Sequence, residues 1–206
     1  FRRWYDEAAA SITNKLIKKS GTLTYIAEME HGSTVAKMDH LACFAGAMLA
    51  IGSAKAPTVE QKEKQWAAGE GIAEICHEMY ARMESGVAPE FITIGGNGEI
   101  HAGASHNLLR PEAVETFMVM WRRTHDPKYQ EWGWQVFEAL EKHCRSDYGY
   151  SGLRDVRSAN PPKDNSQPSY FLAETLKYLY LLFSPDDVIS LDKYVFNTEA
   201  HPLSVL

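Results

Sequence analysis

An all-α fold of paired antiparallel helices is predicted by three features of the sequence. Apolar residues recur at helical spacing along most of the chain. Helix-start and helix-stop residues punctuate that pattern. The last helical segment, around Tyr170–Tyr180, is apolar on nearly every face, which predicts a buried helix.

Each element has its own signal. Residues 2–19 carry apolar positions at Trp4, Ala8, Ile12, Leu16 and Ile17, and Gly21 follows as a stop. Leu23–Glu28 alternates like a short strand. Asp39 is an expected N-cap for a helix over 40–51. Thr58 opens a helix over 59–84, which ends at Gly86. Residues 91–109 are expected to be irregular. Pro111 starts a helix to about Arg123, and Asp126-Pro127 starts another to Cys144. Residues 146–168 hold most of the Gly, Pro, Asn and Ser and are expected to form a loop. Residues 169–183 form the last helix, which stops before Ser184-Pro185. Short turns and long loops alternate between the helices, and no sequence repeat is visible.

The 206 residues suffice for one core, and 45% hydrophobic with 23% charged residues excludes a disordered chain. A net charge of -6 argues against a nucleic-acid partner. No apolar run reaches membrane-spanning length, and no Asn-x-Ser/Thr acceptor is present. The chain opens on Phe1 and runs straight into a helical pattern, so the N-terminus is expected to be a cut inside a larger domain. Cys43, Cys76 and Cys144 lack zinc-site spacing. They read either as three reduced core thiols or as one disulfide and a free thiol.

Several residues could carry chemistry. In Tyr194–Pro202, side-chain oxygens and a carboxylate stand beside His201 and Pro202, behind a very apolar helix. Such a tail is expected to be drawn inside, where a hard cation or a polyhydroxylated ligand would partner its oxygens. Thr198 can offer one cation both a carbonyl and a hydroxyl, but there is no aspartate cluster of the EF-hand kind. Glu112 and Glu115 are three apart at a helix start. They are either acids favoured by the helix dipole or catalytic carboxylates, and ionisation there suits Glu112 to a base. Glu174, the sole acid of its apolar helix, either pairs with Lys177 or serves a ligand or water network. His40 reads as a core or an active-site histidine, and Glu90 as a solvated acid by default. His106 and Asn107 read as loop polars.

Together these segments resemble glycoside hydrolase family 47, the class I α-1,2-mannosidases. The strings are Leu23–Glu28 (LTYIAE), Lys37–Gly46 (KMDHLACFAG), Leu109–Thr116 (LRPEAVET), Thr124–Tyr129 (THDPKY), Gly149–Val156 (GYSGLRDV), Phe171–Leu182 (FLAETLKYLYLL) and Val195–Pro202 (VFNTEAHP). They are collinear and span nearly the whole chain; THDPKY and GYSGLRDV look closest to Golgi members.

The resemblance implies an (αα)7 barrel, of which residues 1–206 are roughly the C-terminal half of a single catalytic domain. It implies inverting, calcium-dependent hydrolysis of terminal α-1,2-linked mannose from high-mannose N-glycans. Ca²⁺ is expected on Thr198, with waters fixed by Glu90, Glu112, Glu115 and Glu174. Glu112 takes the role of the base. His40 matches an active-site histidine, Arg110 contacts the sugar or orients the base, and Tyr170 stands under the sugar ring. Cys43 and Cys76 match the family disulfide, which moves the expected compartment to the Golgi lumen, with the endoplasmic reticulum or secretion as alternatives. The general acid and a membrane anchor are expected upstream of Phe1. The sequence departs from the family in its length, in the Gly-rich stretch 91–106 and at Gln167-Pro168, so a substrate-contacting loop and the local rim are expected to differ. Rival readings are a non-catalytic glycan-binding module, a degradation-linked mannosidase-like protein and a helical scaffold without ligand.

Overall fold

In the computed structural model, which describes residues 1–205, the chain opens with α1 (Arg2–Ser11) and a π-type turn (Ile12–Leu16). The helix predicted over 2–19 therefore stops at Leu16. Ile17–Ser20 (β1) and Leu23–Ile26 (β2) form an antiparallel hairpin with Ser20 opposite Leu23. Gly21, with φ +56°, begins its two-residue turn and is not a helix stop. Glycine in such a turn, flanked by β-branched Ile17, Thr22, Thr24 and Ile26, favours the hairpin over a further helical turn.

A second hairpin joins β3 (Glu28–Glu30) to β4 (Ser33–Val35). Then β5 (Lys37–Asp39) pairs with β6 (Phe91–Ile94), and β6 with β7 (Ile100–Ala104), in one three-stranded sheet. Residues 91–104, expected to be irregular, are thus a strand hairpin. The all-α expectation is corrected here: eleven short strands in five small sheets accompany six α-helices among the described residues. These strands have two to five residues, too few for an alternating pattern to outweigh the helical one.

The helices fall close to their predicted places. A 3₁₀ turn over His40–Cys43 leads into α2 (Phe44–Ser53). Asp39 stands at its N-cap position but makes no capping bond, because Lys37 holds the carboxylate at 3.2 Å. Next comes α3 (Val59–Ala81), capped by Thr58 Oγ1, which accepts from Gln61 N at 3.2 Å. Then follow α4 (Glu112–Thr124), α5 (Lys128–His143), a two-residue-strand hairpin β8–β9 (Arg145–Ser146, Gly149–Tyr150) and α6 (Leu176–Leu182), which a π-type turn over Phe171–Thr175 introduces. The chain closes with the hairpin β10–β11 (Tyr194–Phe196, Pro202–Ser204).

Consecutive helices pack together: α2 on α3, α4 on α5, and α4 also on α2 and α6. Met38, Leu49, Ile72, Phe117 and Phe171 are among the buried side chains that join them. Gly46 lets α2 approach α4 closely, since a Cβ there would lie 2.6 Å from Thr116 Cγ2. The Thr116 hydroxyl fills the gap instead. It donates to Cys43 O at 2.7 Å and accepts from Ala47 N at 2.9 Å, so it stands in for the first helical hydrogen bond of α2. Cys43 and Cys76 form a disulfide that ties the start of α2 to α3. This overturns the reading of three reduced thiols; closing 33 residues stabilises by about 3–4 kcal/mol. Cys144 is free and buried, its thiol pushed up to about 12 by burial. The reading of the last helix as buried holds for Tyr178, Leu181 and Leu182 but not for Leu172, Tyr180 and Phe183, which are exposed.

Candidate active site

The three-stranded sheet sets the first two site residues. Its β5–β6 pairing continues one step further, where His40 N donates to Glu90 O at 2.8 Å. His40 and Glu90, remote in sequence, therefore stand side by side. The next two, Arg110 and Glu112, come from the turn before α4. Leu109 has φ +61°, a left-handed conformation that costs a bulky side chain energy. Its surroundings hold it there: Leu109 N donates to Asn107 Oδ1 at 2.8 Å, and Thr175 Oγ1 donates to Leu109 O at 2.7 Å. Asn107 itself is fixed through Nδ2, which donates to Ala88 O at 2.8 Å. This turn delivers Arg110 Nε to 2.7 Å from Glu90 Oε2 and puts Glu112 at the first position of α4.

Glu112 and His40 are both buried, at 7% and 1% exposure. Glu112 Oε2 lies 3.0 Å from His40 Nδ1, and His40 Nε2 lies 2.8 Å from the Tyr80 hydroxyl. Burial alone would raise the Glu112 pKa. The hydrogen bond from His40, the Glu112 backbone N–H and the Arg110 charge outweigh it, and the carboxyl is held below its usual range. An ionised, oriented carboxylate is what a general base requires. Glu90 is not the solvated acid of the default reading: Oε2 is paired with Arg110, and Oε1 is buried with no hydrogen-bond partner. Tyr170, half-buried, donates its hydroxyl to Leu108 O at 2.7 Å.

A cavity of about 590 Å³ opens beside Glu112. Glu112, Glu115, Glu174, Tyr178, Asn197 and Thr198 line one part of it, and apolar residues such as Leu41, Phe44 and Met48 another. Burial, then the charges of Glu112 and Glu174, push Glu115 up to about 8. Burial, then Glu199 and Glu112, push Glu174 up to about 7. Lys177 does not pair with Glu174 as one reading expected; its Nζ donates to Ala200 O at 2.9 Å and pins the tail loop. Phe196 packs edge-on against Tyr178, and Asn197 Oδ1 accepts from Glu199 N and His201 N. The tail is fully buried only at Ala200, with Tyr194 and Phe196 half-buried. Thr198 is exposed, on the cavity wall, because the anchoring is done by its neighbours. Among the described residues no cluster of three or more His, Cys, Asp or Glu could hold a metal directly. An ion here would have few direct donors. Three carboxyls and a threonine on one cavity, two of the carboxyls raised by burial and by neighbouring carboxylate charge, still fit a hard cation held largely through water.

Sequence reasoning missed Tyr80, Asn107, Thr116 and Thr175, which position the site from behind. Asn107 and Tyr80 carried no signal, since loop polars and core tyrosines look alike in one sequence. Thr116 fell inside the LRPEAVET string but had no role assigned.

The sequence model of glycosyl hydrolase family 47 matches residues 1–205. The chain belongs to that family. The family 47 chain is 50% identical over 210 residues to mannosyl-oligosaccharide 1,2-alpha-mannosidase IA of Sus scrofa, covering 100% of this chain and 32% of that protein. To mannosyl-oligosaccharide alpha-1,2-mannosidase IA of Drosophila melanogaster it is 47% identical, over 99% of this chain and 31% of the relative. The structure of alpha-1,2-mannosidase from Trichoderma reesei aligns with a TM-score of 0.87 and 28% identity, over 97% of this chain and 46% of that one. The chain thus spans about a third of the length of the curated relatives it matches. Among the described residues no helix is long and apolar enough to cross a membrane.

Proposed function

We propose that this family 47 chain is the C-terminal portion of a single catalytic (αα)7-barrel domain that removes terminal α-1,2-linked mannose from high-mannose N-glycans, with inversion and with calcium. One observation carries the reading: Glu112, ionised and held 3.0 Å from His40, borders a cavity large enough for a sugar ring. With Oε2 engaged by His40, Oε1 is the oxygen free to take a proton from water as that water attacks the anomeric carbon. Inversion needs the acid and base carboxyls ~6.5–9.5 Å apart, with the water between base and sugar. The general acid is assigned to a part of the enzyme outside this chain. The names of the relatives support the substrate class.

The other residues bind and orient. Glu90 Oε1, an acceptor without a partner, suits a sugar hydroxyl or an ordered water, and Arg110 holds its carboxylate in place. Glu115 and Glu174 hold waters over the cavity, and Tyr170 offers a ring face to the sugar. Thr198 would hold the calcium ion, which would supply positive charge for binding sugar hydroxyls. The disulfide supports an oxidising compartment, and we assign the protein to the Golgi lumen with any membrane anchor outside this chain.

The test is Glu112→Gln in the full-length enzyme, assayed on an α-1,2-linked Man9 glycan. Turnover is expected to fall about 10³-fold or more while the glycan still binds. Wild-type turnover would overturn the base assignment. A protein that binds the glycan yet releases no mannose in its unmutated form would be a glycan-binding module instead.

A further inference from the structure

We propose that Tyr80 is a positioning residue for Glu112, acting through His40: its phenol fixes a proton on His40 Nδ1, the nitrogen that faces the carboxylate. The inference rests on the reading of Glu112 as the base. The three groups form one buried chain, with Tyr80 Oη 2.8 Å from His40 Nε2 and His40 Nδ1 3.0 Å from Glu112 Oε2. Glu112 can only accept, so Nδ1 must donate. A neutral imidazole holding that proton on Nδ1 presents a lone pair at Nε2, and the phenol supplies the hydrogen that fills it. Burial and the negative charge of Glu112 keep the phenol protonated. The Tyr80 hydroxyl has no other hydrogen-bond partner among the described residues, so this arrangement satisfies all three buried groups at once. In the opposite tautomer two lone pairs would face each other at Nδ1 and Glu112 Oε2, and the base would lose its donor.

The disulfide supports this chain. Tyr80 follows Cys76 by four residues, so both lie on one face of α3. Cys76 is bonded to Cys43, the last residue of the turn that His40 begins. The covalent link therefore clamps the segment that bears the phenol to the segment that bears the imidazole. Tyr80 is 5% exposed, and Tyr80→Phe removes one oxygen while keeping the packed ring.

In the full-length enzyme acting on an α-1,2-linked Man9 glycan, Tyr80→Phe is expected to lower kcat roughly 10–100-fold with KM changed less than about twofold. In a His40→Asn background the same change is expected to cost nothing further, because the path through the imidazole is already cut. ¹⁵N spectra of the histidine rings read the tautomer directly, without any variant. The wild type is expected to carry the His40 proton on Nδ1, and Tyr80→Phe to move part of the population to Nε2. A wild-type proton on Nε2, an unchanged kcat in Tyr80→Phe, or an additive loss in the His40→Asn background would each overturn the proposal. Failure of the base reading shows elsewhere, as turnover by Glu112→Gln, and leaves the tautomer measurement to decide the Tyr80–His40 link.

Discussion

Glu112 and Glu115 lie three residues apart on α4, yet their surroundings shift them in opposite directions. Around Glu112 the protein supplies His40 and Arg110, and both sit on backbone fixed by β-pairing, by the Leu109 turn and by the Thr116 bridge. Around Glu115 and Glu174 it supplies more carboxylates, and the facing loop holds Asn197 and Thr198 open to the cavity. One region is preorganised by the chain alone. The other is arranged as though positive charge arrives from outside. The same physics, desolvation against nearby charge, thus lowers one carboxyl and raises its neighbours, which is the contrast the proposed base and cation site rest on.

The sharpest way to break this comparison is calcium itself. Removing it with EDTA from the full-length enzyme is expected to abolish turnover and to lower the melting temperature. At an ion concentration ~1,000 times its Kd, the bound state gains about 4 kcal/mol. Thr198→Ala is expected to weaken calcium binding in calorimetry while leaving the calcium-free melting temperature where it was. Full activity after verified metal removal would end the reading of this region as a cation site.

Next in size is the preorganised region. Thr116→Val removes a buried hydroxyl that serves Cys43 O and Ala47 N together, and leaves both backbone groups unpartnered. The expected loss is about 2 kcal/mol, measured by denaturant unfolding, and equal with and without calcium. A loss that appeared only with calcium present would mean the two regions are not independent.

The pH dependence distinguishes them again. Glu115 and Glu174 have folded pKa values of about 8 and about 7, above the ordinary 4.5. Between those limits the folded state binds more protons than the unfolded one, so stability without calcium is expected to fall as pH rises from about 4.5 to 8. The cavity is open to water, so the loss is on the order of 1 kcal/mol. Glu112 works the other way: its lowered pKa gives stability present above the ordinary carboxylate range and lost as pH falls through the folded value. Calcium is expected to flatten the neutral-pH slope, which melting curves in EDTA and in calcium can compare.

How legible each region was in the sequence follows from the same contrast. The carboxylates could be read because they sit at helix starts or alone in apolar helices, and there an acid stands out. The helices could be read from periodicity, and Thr58 from its capping position. Of the strands only Leu23–Ile26 could, from its alternation; Ile17–Ser20 and Phe91–Ile94 could not, because they take their pairing partners from turns and from remote segments. Tyr80 could not either: at an apolar-face position it looks like core, and only its distance to His40 gives it work. The tail was read as buried because a greasy helix precedes it. It is held instead by Ala200, Phe196 and Lys177, which leaves Thr198 exposed on the cavity wall.

That anchoring leads to the smallest expected effect. Lys177 Nζ donates to Ala200 O, and Ala200 is fully buried with φ +54°, a conformation that alanine does not favour unaided. Lys177→Met keeps the apolar stem and removes the donor, so the loop from Asn197 to Ala200 loses its charge-assisted bond to α6 while its packing stays. Global stability is expected to change by less than ~1 kcal/mol, since the bond is only part-buried. Calcium affinity, in contrast, is expected to drop several-fold, because Thr198 would have to be ordered by the ion that it binds. Equal loss in melting temperature and in affinity would show that Lys177 supports the fold at large; a loss in affinity alone would show that the loop is held in place for its ligand.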